Sequence, residues 1–434
     1  EDAELAGWLS AELERRLAAT PAARGRVSGP GAAADALERA RLLHAAGQHA
    51  EGLALARSLD AEADEALREW LEALFLFEQD DFPAARAHVD RALELAPEFY
   101  PARELGARLA AALRPRDESV AACEALAEAH PDLPEPVELL TWELLLAGRA
   151  DEAERRLFDA LDRGMWTAEL ERRARALERL RHGPGWRQRF EHASRHYVVR
   201  SDVSRELCAE AAEVLDTSRF LFERLLMRPR GAATEKRQVY LFAGQAGYLR
   251  YAAEMTGRIP IHTAGLYSPV LKQLLIWNLP ERAAMMRTVR HEALHQYVDA
   301  LGLDAPPWLH EGLGEYFELA TVERGQVAAG QANAMHVDAL VSRAGLVPLE
   351  RFLHLRPEEF YADGGRHYAQ AWALVHYLRH GGKRLERVWD ALLAELAAGR
   401  PARAAVDATL GAEDLAALER DLLEHVRGLA RAGQ

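Results

Sequence analysis

Small residues recur at a fixed interval in the first part of the chain, and this recurrence limits its possible folds more than any other feature of the sequence. The positions repeat every 34 residues, and they are Ala85, Ser119 and Ala153 and, seven residues later, Ala92, Leu126 and Ala160. Pro97 and Pro131 close two of the units. Small side chains at matching positions let paired helices approach closely, so an interval of this length predicts a stack of helix pairs.

This pattern is similar to the tetratricopeptide repeat, in which each unit is a helix, a turn and a second helix. Turn residues stand where that unit needs them, at positions 80–82 and 148–150, with a less regular copy near Gln48. The resemblance covers about three to four units and implies a concave surface that binds a peptide or a partner protein. A generic alanine-rich helical bundle is the alternative explanation of the same pattern.

Residues 182–185 read His-Gly-Pro-Gly and interrupt the helical periodicity, and short runs typical of strands follow them. A chain of 434 residues also suits two domains better than one. We therefore predict an N-terminal helix and linker at 1–34, a helical repeat domain at 35–182 and a second domain at 190–434.

The second domain is predicted to begin with a sheet part at 190–280. Its strands are expected at 197–200, 239–243 and 271–277, with an amphipathic helix near 203–226 and with residues 265–267 leading into the third strand. From Pro280 onward the pattern is helical, which defines a helical part at 281–434. A small mixed sheet followed by helices predicts an α+β fold.

The segment 291–295 reads His-Glu-Ala-Leu-His and is the strongest indication of chemistry in the sequence. Pro280 and Gly302 frame a helix of about five turns around it. Histidines four residues apart project from one face of a helix and can bind the same metal ion. We predict His291 and His295 as metal ligands, and Glu292 as the general base that acts on a water molecule beside them.

A second helix is expected to start just after Pro306 and Pro307. A short connection makes consecutive helices antiparallel neighbours, so Glu311 at the start of this helix is the predicted third ligand. Glu315, one turn later, is expected to hold the other ring nitrogen of a ligand histidine, although a solvated helix face also explains it. Glu318 is expected on the solvated face. His310 is the reserve ligand.

These motifs resemble those of the gluzincin metallopeptidases of the peptidase MA-like clan. In that group, HExxH is followed by a glutamate at the head of a helix, commonly in a WLxEG phrase, and residues 308–312 here read Trp-Leu-His-Glu-Gly. The resemblance covers about residues 195–380. It implies a gluzincin-type fold, one bound Zn²⁺ per chain and hydrolysis of peptide bonds.

The segment that starts at Tyr368 resembles the YxxGxxLL helix of aminopeptidase N-like enzymes, with Ala371 in place of the glycine. The resemblance implies that Tyr368 stabilises the oxyanion, with Tyr361 and Tyr377 as alternatives. The aminopeptidase N-like strand that holds a free amino terminus carries a glutamate, whereas residues 265–268 here read Gly-Leu-Tyr-Ser. Exopeptidase specificity is therefore not implied, and a bare strand edge would instead pair with an extended peptide.

Two functions follow from these patterns. The first is a zinc-dependent peptidase in which the helical repeats recruit a substrate or a partner protein. The alternative is a catalytically inactive, peptidase-like scaffold for protein binding, which predicts the loss of at least one catalytic group. All of the predicted groups are present in the sequence.

Charge and composition exclude other classes of function. The chain has 54 Lys and Arg against 68 Asp and Glu, a net charge of −14, so we expect it to repel nucleic acid. The apolar run at 266–279 is short and contains Lys272, so no membrane span is predicted. Cys123 and Cys208 are too far apart in sequence for a CxxC site.

The sequence begins at Glu1 without methionine. This start favours export, for example to a periplasm, after removal of a targeting peptide, or reflects trimming.

Overall fold

The computed structural model describes residues 48–57, 65–79, 81–113, 116–229, 236–256, 263–323, 326–342 and 346–432, together with Ala40 and Leu43. These parts of the chain are mostly helical and contain a small mixed sheet, which agrees with an α+β fold. The predicted helix at 1–20 and linker at 21–34 lie outside the described residues. The chain divides into two compact units between Ala174 and Arg175. This division falls inside a helix that ends at His182, ahead of the predicted break at 182–185.

The first unit consists of helices that pack against their neighbours along the chain. They are α1 (His49–Arg57), α2 (Glu65–Phe77), α3 (Phe82–Leu95), α4 (Tyr100–Leu113), α5 (Arg116–Ala129), α6 (Pro134–Leu146), α7 (Ala150–Asp162) and α8 (Ala168–His182), whose last residues belong to the second unit. Helices α3, α5 and α7 begin at residues 82, 116 and 150, and helices α4, α6 and α8 begin at residues 100, 134 and 168. Both series advance by 34 residues.

The repeated small residues have the packing role that the sequence predicts. All six residues at these positions are buried, and five of them, all except Leu126, have no exposed surface. Each lies on the second helix of a pair, where a larger side chain would separate that helix from its neighbours. The 34-residue interval is therefore a property of helix packing in this unit.

The second unit is built on a five-stranded sheet. Its strands are β1 (Phe190–Ala193), β2 (Tyr197–Ser201), β3 (Arg237–Phe242), β4 (Gly265–Ser268) and β5 (Gln273–Trp277), and their order in the sheet is β1-β2-β3-β5-β4. The pairs β2/β3 and β3/β5 are parallel, and the two outer pairs are antiparallel. Helix α9 (Arg205–Leu225) connects β2 to β3, and helix α10 (Gln245–Thr256) follows β3.

The two faces of the sheet pack against different cores. One face, which includes Val199, Leu241 and Ile276, packs with the main core of the helical half. The other face, which includes Tyr240, Phe242 and Leu275, packs with helix α10 and with Ala176 of helix α8. Alternation of side chains along each strand assigns successive residues to these two cores.

The helical half follows the sheet. It contains α11 (Arg282–Leu301), α12 (Pro307–Glu318), α13 (Ala334–Ser342), α14 (Leu349–Phe352), α15 (Pro357–Ala362), α16 (Gly364–His380), α17 (Lys383–Ala397), α18 (Ala402–Thr409), a 3₁₀ turn (Leu410–Ala412) and α19 (Leu415–Ala432). Helix α12 packs against both α11 and α16. In the parts of the chain that the structure describes, every helix is too short or too polar to cross a lipid bilayer.

The structure confirms three predicted elements and corrects others. The strands near 197 and 239 and the helix between them are present. Residues 265–267, predicted to lead into a strand, form the edge strand β4 itself, and β5 starts only at Gln273 because Lys272 lies in the turn with a φ of 54°. Strand β1 was not predicted. The helical half is also interrupted by a hairpin of β6 (Thr321–Glu323) and β7 (Gln326–Ala328).

Candidate metal centre

The two histidines of the HExxH segment lie in the middle of helix α11. The helix ends at Gly302, whose φ of 68° is left-handed and therefore suits glycine. His291 and His295 are buried, and their ring centroids are 4.7 Å apart with the rings nearly perpendicular at 82°. One turn of helix thus places both imidazoles on the same face.

Helix α12 brings the carboxylate of Glu311 against both imidazoles. Its Oε2 atom lies 3.1 Å from Nε2 of His291 and 3.5 Å from Nε2 of His295. A tetrahedral ion with bonds of about 2.0–2.1 Å holds its donor atoms about 3.3–3.4 Å apart. The distances from Glu311 to the two histidines lie on either side of this value, so Glu311 is spaced from each imidazole as two ligands of a small tetrahedral metal ion are.

Two glycines let helix α12 approach its neighbours this closely. A Cβ atom at Gly314 would lie 2.6 Å from Cε1 of His291. On the other side, a Cβ atom at Gly312 would lie 2.5 Å from the carbonyl oxygen of Ala371 in helix α16. Helix α12 is therefore held between α11 and α16 by direct contact of its backbone, and Glu311 lies between these two glycines and the start of the helix.

The acid and the histidines form a strongly coupled group. Burial by itself would lower the pKa of His291, but hydrogen bonds to Glu311 and Glu318 outweigh burial and raise this pKa well above its ordinary value. Burial would likewise raise the pKa of Glu311, but the imidazoles of His295 and His291 lower it well below its ordinary value. In the metal-free protein, His291 and Glu311 therefore form an ion pair.

Glu292 lies beside the two histidines. Burial raises its pKa, while the neighbouring imidazoles act in the opposite direction. Glu292, His291 and His295 each present a donor atom within 4.8 Å of the others. The side chain that the sequence predicts as the general base is thus adjacent to the donor atoms, in a buried position that strengthens its affinity for a proton.

The outer nitrogen of His291 is held by Glu318, which corrects the prediction for Glu315. Nδ1 of His291 is 3.0 Å from Oε1 of Glu318, whereas the distance to Oε1 of Glu315 is 3.9 Å. Glu315 instead accepts a hydrogen bond of 2.7 Å from Nε2 of His336 on helix α13. Seven residues after Glu311 complete almost two whole turns, so Glu318 lies closer to the same face than Glu315 does.

His310, the reserve ligand, stacks on His295. Their ring centroids are 4.1 Å apart and the rings are nearly parallel at 4°. Burial lowers the pKa of His310 to about 3, so it is neutral. Together with His295 and Glu311 it forms another group of donor atoms within 4.8 Å. Sequence reasoning could not predict this stacking, since His310 and His295 lie on different helices.

Two tyrosines lie next to Glu311. The hydroxyl of Tyr361, on the short helix α15, donates a hydrogen bond of 2.7 Å to Oε1 of Glu311. Burial and the charge of Glu311 raise the pKa values of both Tyr361 and Tyr368, so both hydroxyls keep their protons. Nδ1 of His367 donates to the carbonyl of Phe360 at 2.7 Å and fixes the end of α15 beside α16. Tyr377, the other tyrosine that the sequence analysis considers for the oxyanion, packs against His425.

The structure therefore contains groups of histidine and glutamate that could bind a metal ion. Besides the two groups already described, His291, Glu315 and Glu318 form a third, on the Nδ1 side of His291.

Comparison with known proteins shows a similarity to a family of unknown function. A family model described as a protein of unknown function (DUF1570) matches residues 285–394, about a quarter of the chain. The matched segment is similar to that family and includes both histidines of helix α11, Glu311 and both tyrosines. No curated protein matches the sequence.

Proposed function

We propose that this chain is a zinc-dependent peptidase of the gluzincin type. The observation that carries the proposal is the position of Glu311, whose Oε2 atom approaches the Nε2 atoms of His291 and His295 at 3.1 and 3.5 Å. Two imidazoles and one carboxylate, with a fourth position left for water, are the donor set of a catalytic zinc site. When bound, zinc lowers the pKa of water to about 7 and polarises a carbonyl oxygen.

The protein's own groups supply the proton transfers. Glu292 is buried beside the donor atoms, and its raised pKa suits a group that takes a proton from the attacking water and returns it to the leaving amine. Glu318 keeps His291 in the orientation that turns Nε2 towards Glu311. Stacking on neutral His310 restrains the ring of His295 in the same way.

Tyr368 and Tyr361 are the candidates for stabilising the oxyanion. Both hydroxyls remain protonated, so either can donate a hydrogen bond to a developing negative charge. Tyr361 is half exposed and already donates to Glu311, while Tyr368 is more deeply enclosed on helix α16. We assign the oxyanion role to Tyr368 and a supporting contact with the ligand Glu311 to Tyr361.

The substrate is an extended peptide in this proposal, and the helical repeats recruit it or a partner protein. Strand β4 is an edge of the sheet and runs beside Glu292, where an extended chain can add as a further strand. Helix pairs that recur every 34 residues form a stack of the kind that binds peptides. The inactive scaffold remains the alternative, and no contact in the site favours it.

Metal content and hydrolysis, measured together, test the proposal. We expect about one zinc per chain after purification without chelator, and cleavage of fluorescein-labelled casein that a chelator abolishes. His295→Ala should lose the metal, whereas His354→Ala, whose ring pairs with Asp407 at 3.2 Å, should keep it. Glu292→Gln should keep zinc but lose nearly all hydrolysis, because an amide cannot accept the proton. A zinc-loaded wild-type protein without hydrolysis would favour the scaffold.

A further inference from the structure

Tyr267 of the edge strand β4 contacts helix α11 through its side chain. Its hydroxyl donates a hydrogen bond of 2.6 Å to Oδ2 of Asp299. Asp299 follows Glu292 by seven residues, which is about 10.5 Å along the helix axis. Tyr267 therefore joins the strand to the helix about two turns beyond the predicted general base.

Asp299 is shared with the turn that joins β4 to β5. Nζ of Lys272 lies 3.1 Å from Oδ1 and 2.9 Å from Oδ2 of Asp299. Among the described residues, Lys272 is the non-glycine residue with a positive φ, at 54°. A left-handed backbone is disfavoured for lysine, so the surrounding contacts must hold the turn in this shape. The ion pair with Asp299 is such a contact.

The strand also lies directly against Glu292. A Cβ atom at Gly265 would lie 2.8 Å from Cγ of Glu292 and 2.9 Å from Cγ2 of Thr288. Gly265 and Tyr267 are two residues apart, so both face helix α11. The absence of a side chain at Gly265 thus sets how closely the strand approaches the general base.

The hydrogen-bond pattern of β4 shows which backbone groups are available at its outer edge. The N–H of Trp277 donates to the carbonyl of Ala264, which makes these two residues a hydrogen-bonded pair across β4 and β5. In an antiparallel ladder such pairs alternate, so the backbone groups of Gly265 and Tyr267 point away from β5. An added strand would therefore meet the backbone groups of Gly265 and Tyr267 at this edge.

We propose that Tyr267, Asp299 and Lys272 are positioning residues that fasten the edge strand to helix α11 and so set where an extended peptide on that strand lies relative to Glu292. The inference rests on the proposed hydrolysis of peptides. Breaking the fastening lets β4 move away from the helix, which misplaces the peptide bond without removing any group that binds metal or transfers a proton. Misplacement of a reacting bond by about 1 Å lowers the rate by about 10²-fold.

Three single substitutions test whether the contacts of Tyr267 and Lys272 with Asp299 hold strand β4 against helix α11. Tyr267→Phe removes the hydroxyl that reaches Asp299 and leaves the backbone N–H in place, and Asp299→Asn weakens the contacts with both Tyr267 and Lys272. Tyr297→Phe is the matched control, because it removes a buried hydroxyl from the same helix α11, where it donates to the carbonyl of Met227. Each variant is compared with the wild type in the zinc-loaded full chain.

The first measurement is hydrogen exchange of the amides at 264–268, and it does not depend on activity. We expect Tyr267→Phe and Asp299→Asn to speed this exchange by about tenfold or more, since a hydrogen bond to a carboxylate is lost, and Tyr297→Phe to leave it unchanged. The second measurement is kcat/KM on fluorescein-labelled casein. It should fall by about ten- to a hundredfold in the first two variants with zinc content unchanged.

The possible outcomes distinguish failure of the positioning role from failure of the proposed function. If Tyr267→Phe and Tyr297→Phe give the same result in both measurements, the contact of Tyr267 with Asp299 does not position strand β4. The proposed hydrolysis of peptides is not affected by that result. If the wild-type protein binds zinc and hydrolyses nothing, the proposed function fails and the positioning role fails with it. If Asp299→Asn does not fold, Tyr267→Phe alone tests the positioning role, because this substitution removes only one oxygen atom.

Discussion

The hydroxyl of Tyr361 donates a 2.7 Å hydrogen bond to Oε1 of Glu311, the carboxylate whose other oxygen faces both histidines. A glutamate with one oxygen held by a tyrosine has a fixed orientation, and its second oxygen is left to bind a metal ion. The contact joins the short helix α15 to the metal centre. It also distinguishes the two tyrosines that lie beside Glu311.

Substitution of each tyrosine should therefore affect a different property. Tyr361→Phe releases Oε1 of Glu311, and we expect it to weaken zinc affinity by about 10- to 100-fold, the range for groups that orient a metal ligand. Tyr368→Phe should keep zinc and lower kcat by about 10²- to 10³-fold. Competition with a chelator gives the first quantity, and steady-state kinetics give the second. If the two effects were exchanged, Tyr361 would be the oxyanion donor.

Glu318 and Glu315 offer a matched pair of substitutions on one helix. Glu318→Gln weakens the contact with Nδ1 of His291 and should lower zinc affinity by about 10- to 100-fold. Glu315→Gln, which changes a contact with His336, should lower it far less. The two dissociation constants, measured by chelator competition, decide between them. Equal losses would mean that both carboxylates orient His291.

Zinc binding should release a proton from His291. Its pKa in the metal-free protein is raised, so it keeps its proton above its ordinary pKa of about 6.5, and zinc, which binds the neutral imidazole, must displace that proton. Glu311, with a lowered pKa, is already ionised. Affinity should thus fall about tenfold for each pH unit of acidification below the raised pKa of His291. Calorimetry in buffers of different ionisation enthalpy counts the protons, and a count of zero would contradict the ion pair.

The same ion pair gives the metal-free fold a pH dependence of known sign. The raised pKa of His291 stabilises the fold at low pH, and this contribution is lost as the pH rises through that pKa. The lowered pKa of Glu311 stabilises the fold above the ordinary range of a carboxyl group, and this contribution is lost as the pH falls through the lowered pKa. Between these limits both contributions are present.

The boundary within helix α8 predicts where the second unit can be separated. Ala176 and Leu180 of this helix pack with Trp186 and Tyr240 of the sheet. A fragment that starts at residue 165 keeps these contacts, whereas one that starts at Gly183 loses them and should be less stable by about 2 kcal/mol or more. Chemical unfolding of the two fragments measures the difference. Equal stabilities would show that helix α8 adds nothing to the second unit.

The longer fragment also tests the role of the repeats. If the repeats recruit substrate, the fragment from residue 165 should keep zinc and cleave short peptides as the full chain does, but cleave a recruited protein less well. Equal efficiency on every protein substrate would remove the recruitment role.

Much of this architecture could be predicted from the sequence because its signals are local. The 34-residue interval depends on close packing of neighbouring helices, and the spacing of His291 and His295 depends on the pitch of one helix. The antiparallel return of helix α12 follows from its short connection. In each case, residues close in sequence determine the geometry, and whether the assembled donors bind zinc stays a prediction.

The features that sequence reasoning missed depend on contacts between distant segments. Strand β4 has four residues, too few for an alternating pattern, and it is defined by its pairing with β5. The four-residue spacing from Glu311 favoured Glu315 over Glu318 in the sequence, whereas in the structure Glu315 contacts His336 of helix α13 and Glu318 contacts His291. A seven-residue spacing from Glu311 was the one available sign for Glu318.

Gly312 and Gly314 have a consequence for what happens when the metal is removed. Because the backbone of helix α12 rests on the ring of His291 and on the backbone of Ala371, close packing fixes the spacing of helices α11, α12 and α16 before a metal ion arrives. The conformational entropy of arranging the donors is lost when the chain folds and not when the metal arrives. Chelation should therefore leave a folded, empty site that reloads rapidly, unlike small zinc domains that unfold without their ion.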